Sequence, residues 1–164
     1  MARRRQKWPV WLPRAAWYKA RLTGDSRAMT DTTTPPPTGA VTGEVRNLLR
    51  LEGAALAVAC MVFYSYFEGS WWLFAILLLA PDLSFAGYLA GPRAGAIAYN
   101  AAHTAILPML LGIVAMIMPS GLAMHLSLIW CAHIGIDRAL GYGLKYDAGF
   151  SFTHLGRIGK DARD

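Results

Sequence analysis

Six side chains able to bind, donate or ionise lie inside otherwise apolar stretches: Glu52, Asp82, Asn100, His103, His133 and Asp137. In hydrocarbon an ionisable residue costs at least about 2.5 to 3.5 kcal/mol on insertion scales, so it faces a partner or a wet cavity. His133 and Asp137 stand four apart on one helical face, as do Asn100, His103 and Thr104 within their own turn. Two histidines and two carboxylates, His103, His133, Asp82 and Asp137, are the ligand types that suit zinc or another divalent transition metal. An ion held there would lower the pKa of a bound water and drive hydrolysis of a lipid-like substrate.

The same residues have other uses. His133 can pair with Asp137, Asp82 with Arg138 or Arg93, and Asn100 can bridge helices by hydrogen bonds, which describes a structural or partner-binding membrane protein. Asp and His at one level can also relay protons, as in a proton-coupled or small-solute carrier. Four helices would have to form a homo-oligomer to enclose such a pathway. These three functions stay open at the level of sequence.

The elements that must position these residues are hydrophobic helices. Of the 164 residues 55% are hydrophobic and only 16% charged, against about a quarter charged in a soluble domain. Residues 1–50 hold ten of the sixteen Lys and Arg residues, whereas the stretch from Gly53 to Asp137 holds one, Arg93. Four apolar segments follow one another at 48–67, 71–91, 94–118 and 121–140, each near the ~20 residues that span ~30 Å of hydrocarbon. Segment 94–118 contains no Asp, Glu, Lys or Arg, which excludes the polar stripe of a soluble bundle helix. Short connections demand antiparallel neighbours, so the expected fold is all-α, an up-and-down bundle of four transmembrane helices over 45–141.

Lys and Arg in the N-terminal arm, at Arg93 and after Arg138 put both termini in the cytoplasm, with Trp71 and Trp72 at the outer interface. Counting ~1.5 Å per residue from the inner helix ends sets Asp82, His103 and His133 at about 10 to 14 Å depth, and Asn100, Asp137 and Glu52 at about 4 to 9 Å. Three helices thus bring polar groups to one layer. Pro81 removes the backbone bond to Leu77, and a pocket at Pro81 to Ser84 follows from that freed carbonyl.

Residues 1–44 read as a basic arm and a Thr/Pro-rich linker, with Met29 an alternative start. The net charge of +6 flanks apolar spans, where it meets lipid headgroups rather than nucleic acid. Cys60 and Cys131 behave as small hydrophobic residues. The tail at 142–164 is aromatic and glycine-rich. It either folds under the bundle and brings His154 to Asp137, or lies at the interface anchored by Tyr142 and Tyr146.

The chain resembles a bacterial family of unknown function, family 4260. The resemblance rests on Arg50-Leu-Glu-Gly, Gly69-Ser-Trp-Trp-Leu-Phe, Ala80-Pro-Asp-Leu-Ser, Gly87-Tyr-Leu-Ala-Gly-Pro-Arg, Tyr99-Asn-Ala-Ala-His-Thr, the run from His133 to Tyr146, and Thr153-His-Leu-Gly-Arg-Ile-Gly. It implies a small multi-span membrane protein, favours Met29 as the start because the basic arm lies outside the match, and supplies no activity and no functional residue. The charge distribution adds the expectation of the bacterial inner membrane.

Overall fold

The computed structural model describes residues 39–159. What was expected of the basic arm, of Met29 and of residues 160–164 lies outside the described residues. Helix α1 runs Gly43–Tyr66 and α2 Trp71–Leu77, followed by a 3-10 segment at Ala80–Ala90. Helices α3 (Pro92–His103), α4 (Ile106–Ile117) and α5 (Gly121–Leu140) come next, and β1 (Phe152–Thr153) with β2 (Gly156–Arg157) makes a small antiparallel ribbon in the tail.

Three stretches are long and apolar enough to cross a membrane: Gly43–Tyr66, Trp71–Ala90 and Pro92–Ile117. The fourth segment, α5, has the length but is more polar, carrying His125, Ser127, His133, Asp137 and Arg138. Its position accounts for this. Seven of its residues are buried, among them Ser127, Cys131, Ala132, His133 and Gly135, so protein rather than solvent or lipid surrounds its polar face. The outward surfaces of the other helices are the reverse, with Leu89 92% and Trp72 82% exposed. An apolar surface this extensive marks a lipid or protein contact.

Two of the expected continuous helices are broken, each at a proline. Pro81 has no N–H to offer the Leu77 carbonyl, and the chain passes from α-helix to i→i+3 bonding, Asp82 N–H donating to Leu79 O at 3.1 Å. Segment 94–118 is likewise two helices: Thr104 is extended (φ −85°, ψ 141°) between α3 and α4. The ring of Pro108 would collide with the carbonyl four residues earlier, that of Thr104, so the helix restarts instead.

Helices α1 and α5 pack antiparallel through small residues. Gly53, Ala57, Cys60 and Tyr64 form the buried stripe of α1. A Cβ on Gly135 would lie 2.7 Å from Ala57 N and Gly53 O. The backbones therefore touch, as small residues at helix crossings permit. At the far end Tyr64, wholly buried, packs on Trp71, Phe74 and His125. His125 Nε2 donates to Phe67 O at 2.9 Å and closes the α1–α2 turn. At the near end Gly141, in the left-handed region (φ 97°), ends α5 with Gly141 N–H to Arg138 O and Tyr142 N–H to Asp137 O. This pairing turns the chain sharply back under the bundle.

Candidate metal centre

Helix α3 presents Tyr99 and His103 on one face, four residues apart, and α5 presents His133 and Asp137 in the same way. Antiparallel packing brings the two pairs together, and the 3-10 segment adds Asp82. His103 is fully buried, and its Nδ1 lies 2.9 Å from Tyr99 O. A carbonyl oxygen only accepts, so Nδ1 carries the proton and Nε2 presents its lone pair to the cluster.

Nε2 of His103 lies 3.1 Å from His133 Nε2, 3.3 Å from Asp82 Oδ1 and 3.5 Å from Asp137 Oδ2. His133 Nε2 is 3.6 Å from Asp82 and 3.8 Å from Asp137. All four ligand atoms fall within 4.8 Å of one another. Zinc ligands at about 2.0 to 2.2 Å in a tetrahedron stand about 3.3 to 3.6 Å apart. Five of the six edges of the cluster match that spacing to within a few tenths of an ångström.

Asp137 is held firmly: its Oδ2 accepts from Tyr99 O–H at 3.1 Å. The Tyr99 ring stacks on His103 at 3.7 Å, with Phe85 stacked at 5.2 Å from the Tyr99 ring. Asp82 is looser. Its side chain is 33% exposed, and among the described residues its carboxylate meets only the two imidazoles. The break after α3 is sealed by α5, where Trp130 Nε1–H donates to Ala102 O at 2.6 Å and Arg138 Nη2 to His103 O at 2.9 Å. Irregular backbone inside an apolar bundle is stable only when its freed carbonyls are satisfied in this manner.

The tail closes the layer from the other side. Asn100 grips the Lys145 backbone with two bonds, Nδ2 donating to Lys145 O at 2.8 Å and Oδ1 accepting from Lys145 N at 2.7 Å. This holds the Lys145 ammonium, buried at 4% exposure, 5.0 Å over the Tyr99 ring and 4.0 Å over Phe150. Phe150 in turn packs on Phe85 and Tyr88. Burial pushes the Lys145 ammonium down to about 8; the charge of Asp137 opposes the shift and that of Arg138 adds to it.

A family model matches residues 46–158, that of a domain of unknown function (DUF4260). The chain belongs to that family. No curated protein and no solved structure matches it. All four cluster residues, the Asn100 clamp and Lys145 lie inside the DUF4260 match, and the basic arm lies outside it.

Asp82, His103, His133 and Asp137 are thus brought together, whereas three other expectations need correction. Glu52 is exposed and stands apart from the cluster, because the packed stripe of α1 runs through Gly53, one residue and about 100° away. Asp82 pairs with the histidines, not with Arg138 or Arg93; Arg138 is spent on the carbonyls of His103 and Tyr142. The tail does fold back, but Lys145 faces the Asp137 layer while His154 serves the tail, its Nδ1 accepting from Leu144 N–H at 2.8 Å. Burial, then the charge of Arg138, lowers the His154 pKa. Asn100 supports the layer indirectly, through the tail.

Sequence reasoning missed Tyr99, Trp130 and Lys145. Tyr99 was within reach, being four before His103 on the same face. The tail fold that places Lys145 has no local signal. A cavity of about 410 Å³ does lie at Pro81 and Ser84, lined also by Leu77, Ala80, Ala102, Leu111, Leu126, Ile129 and Trp130. It is apolar and none of Asp82, His103, His133 and Asp137 lines it, so it is not the polar pocket expected around those four.

Proposed function

We propose that this protein is a membrane-embedded metalloprotein whose Asp82, His103, His133 and Asp137 hold one divalent transition ion of the zinc type, used to hydrolyse a substrate drawn from the membrane. Four spans with both ends on the cytoplasmic side of the inner membrane fit the charge distribution, α5 being the inner span of the bundle. The observation that carries the metal reading is the spacing: ligand atoms from three elements within 4.8 Å, with the His103 lone pair aimed by its Nδ1 bond. Two imidazole nitrogens 3.1 Å apart need a cation or a proton between them. In a set of separate structural pairs each acid would select one partner, whereas here each carboxylate stands nearly equidistant from both rings.

The roles follow from the surroundings. His103, His133 and Asp137 are buried or held by Tyr99 and form the fixed ligands. Asp82, about one-third exposed and among the described residues in contact only with the two imidazoles, is the group that would exchange with water and take up its proton. A bound ion supplies polarisation and lowers the pKa of that water. Metal analysis of the full chain purified in detergent tests this: about one ion per chain is expected, lost in His103→Ala and His133→Ala. Metal-free protein after growth with zinc, and no uptake on titration, would overturn the reading.

A further inference from the structure

The cavity is built by the same elements as the Asp/His cluster, although none of the four cluster residues lines it. Pro81 and Ser84 bracket Asp82 on the 3-10 segment, Ala102 adjoins His103 on α3, and Ile129 stands one turn before His133 on α5. Every element that supplies a ligand also supplies a side of the cavity. Its lining is apolar apart from Ser84, whose Oγ is buried and has no hydrogen-bond partner among the described residues. An orphaned hydroxyl in such a place asks for a partner from a ligand. A volume of about 410 Å³, at about 30 Å³ for a water-sized group, accommodates on the order of a dozen methylenes.

We infer that the cavity seats the hydrocarbon chain of a long-chain acyl ester, with Ser84 Oγ–H donating to its ester oxygens at the edge of the metal centre. The inference rests on the hydrolase reading and names its substrate class. In the reaction Asp82 takes one proton from water, and the water oxygen bonds to the acyl carbon. The bond from acyl carbon to alcohol oxygen then breaks, and the leaving oxygen receives the proton from Asp82, giving one carboxylic acid and one alcohol.

The test uses the full chain in detergent, a long-chain acyl ester carrying a photoactivatable diazirine on its chain, and mapping of the adducts by mass spectrometry. Adducts are expected on Leu111, Leu126 and Ile129, falling at least tenfold in Ala102→Trp, which fills the cavity. Ser84→Ala keeps the space and removes the donor. It is expected to weaken labelling by the ester about five- to tenfold, the worth of one hydrogen bond, without weakening labelling by a plain diazirine-bearing hydrocarbon. Labelling confined to the outer faces of the helices, or unchanged in both variants, overturns the proposal. Metal content measured on the same samples separates the two readings: cavity labelling of a metal-free protein sinks the hydrolase and keeps the acyl seat, and metal without cavity labelling does the reverse.

Discussion

His103 on α3 and His133 on α5 approach through their Nε2 atoms to 3.1 Å, thirty residues apart in the chain. Each ring is buried, and each is flanked by the same two carboxylates. The contact is the centre of the molecule's polar layer: Tyr99 stacks on one ring, and Lys145 lies over Tyr99.

Tyr99→Phe keeps the ring stack and removes the donor to Asp137. Groups that orient a metal ligand are commonly worth 10- to 100-fold in affinity, so zinc binding should weaken by about tenfold or more with the fold unchanged. Competition against a chromophoric chelator, alongside circular dichroism, measures both. Unaltered affinity would show that Asp137 needs no support.

Asn100→Leu deletes both bonds to the Lys145 backbone and leaves its N–H and C=O unpaired. At about 0.5 to 1.5 kcal/mol per bond, docking of the tail should weaken by about 1 to 3 kcal/mol. Amide hydrogen exchange at 142–158 should speed up by about 5- to 150-fold while α1 and α5 stay protected. Slow exchange throughout the tail in this variant would mean that the aromatic contacts of Phe150 hold it alone.

Gly135→Val places methyl groups where backbone atoms of Ala57 and Gly53 already stand. Overpacking costs about 1 to 3 kcal/mol, and a helix backbone yields less readily than a side chain, so the upper end is expected. Thermal unfolding in detergent should shift down by several degrees. Gly121→Ala, where nothing lies within 4 Å of the added carbon, is the control expected to hold its midpoint.

Two groups outside the spans set the pH dependence. The Lys145 pKa is lowered to about 8 from its ordinary 10.5, so above pH 8 the folded chain has released a proton that the unfolded chain still holds. Stability should therefore rise between pH 8 and 10.5. His154 is lowered below 6.5, and its Nδ1 must remain a lone pair to accept from Leu144. Stability is complete above pH 6.5 and should fall as pH drops below it. Midpoints from pH 5 to 10 check both signs: Lys145→Met should flatten the alkaline rise and His154→Asn the acid loss.

The sequence by itself determined the number and place of the apolar segments, because hydrocarbon length and the removal of charge are properties of composition. Counting rise per residue pointed to a common level for Asp82, His103 and His133, but the count assumed an α-helix where Asp82 stands on a 3-10 segment, and it set Asp137, which joins the cluster, at a shallower depth. The sequence could show that His133 and Asp137 share a face, and Pro81 announced a break. The effect of Pro108 on Thr104 was equally local and was overlooked. Tertiary structure alone decided which acids the histidines meet, that α5 is the enclosed helix, and that Glu52 faces away, because rotation of a helix about its axis is set by the small residues of its neighbours. It alone decided that Lys145 rather than His154 reaches the layer: the tail is positioned by two bonds from Asn100, forty-five residues earlier in the chain, and no local pattern encodes a contact at that separation.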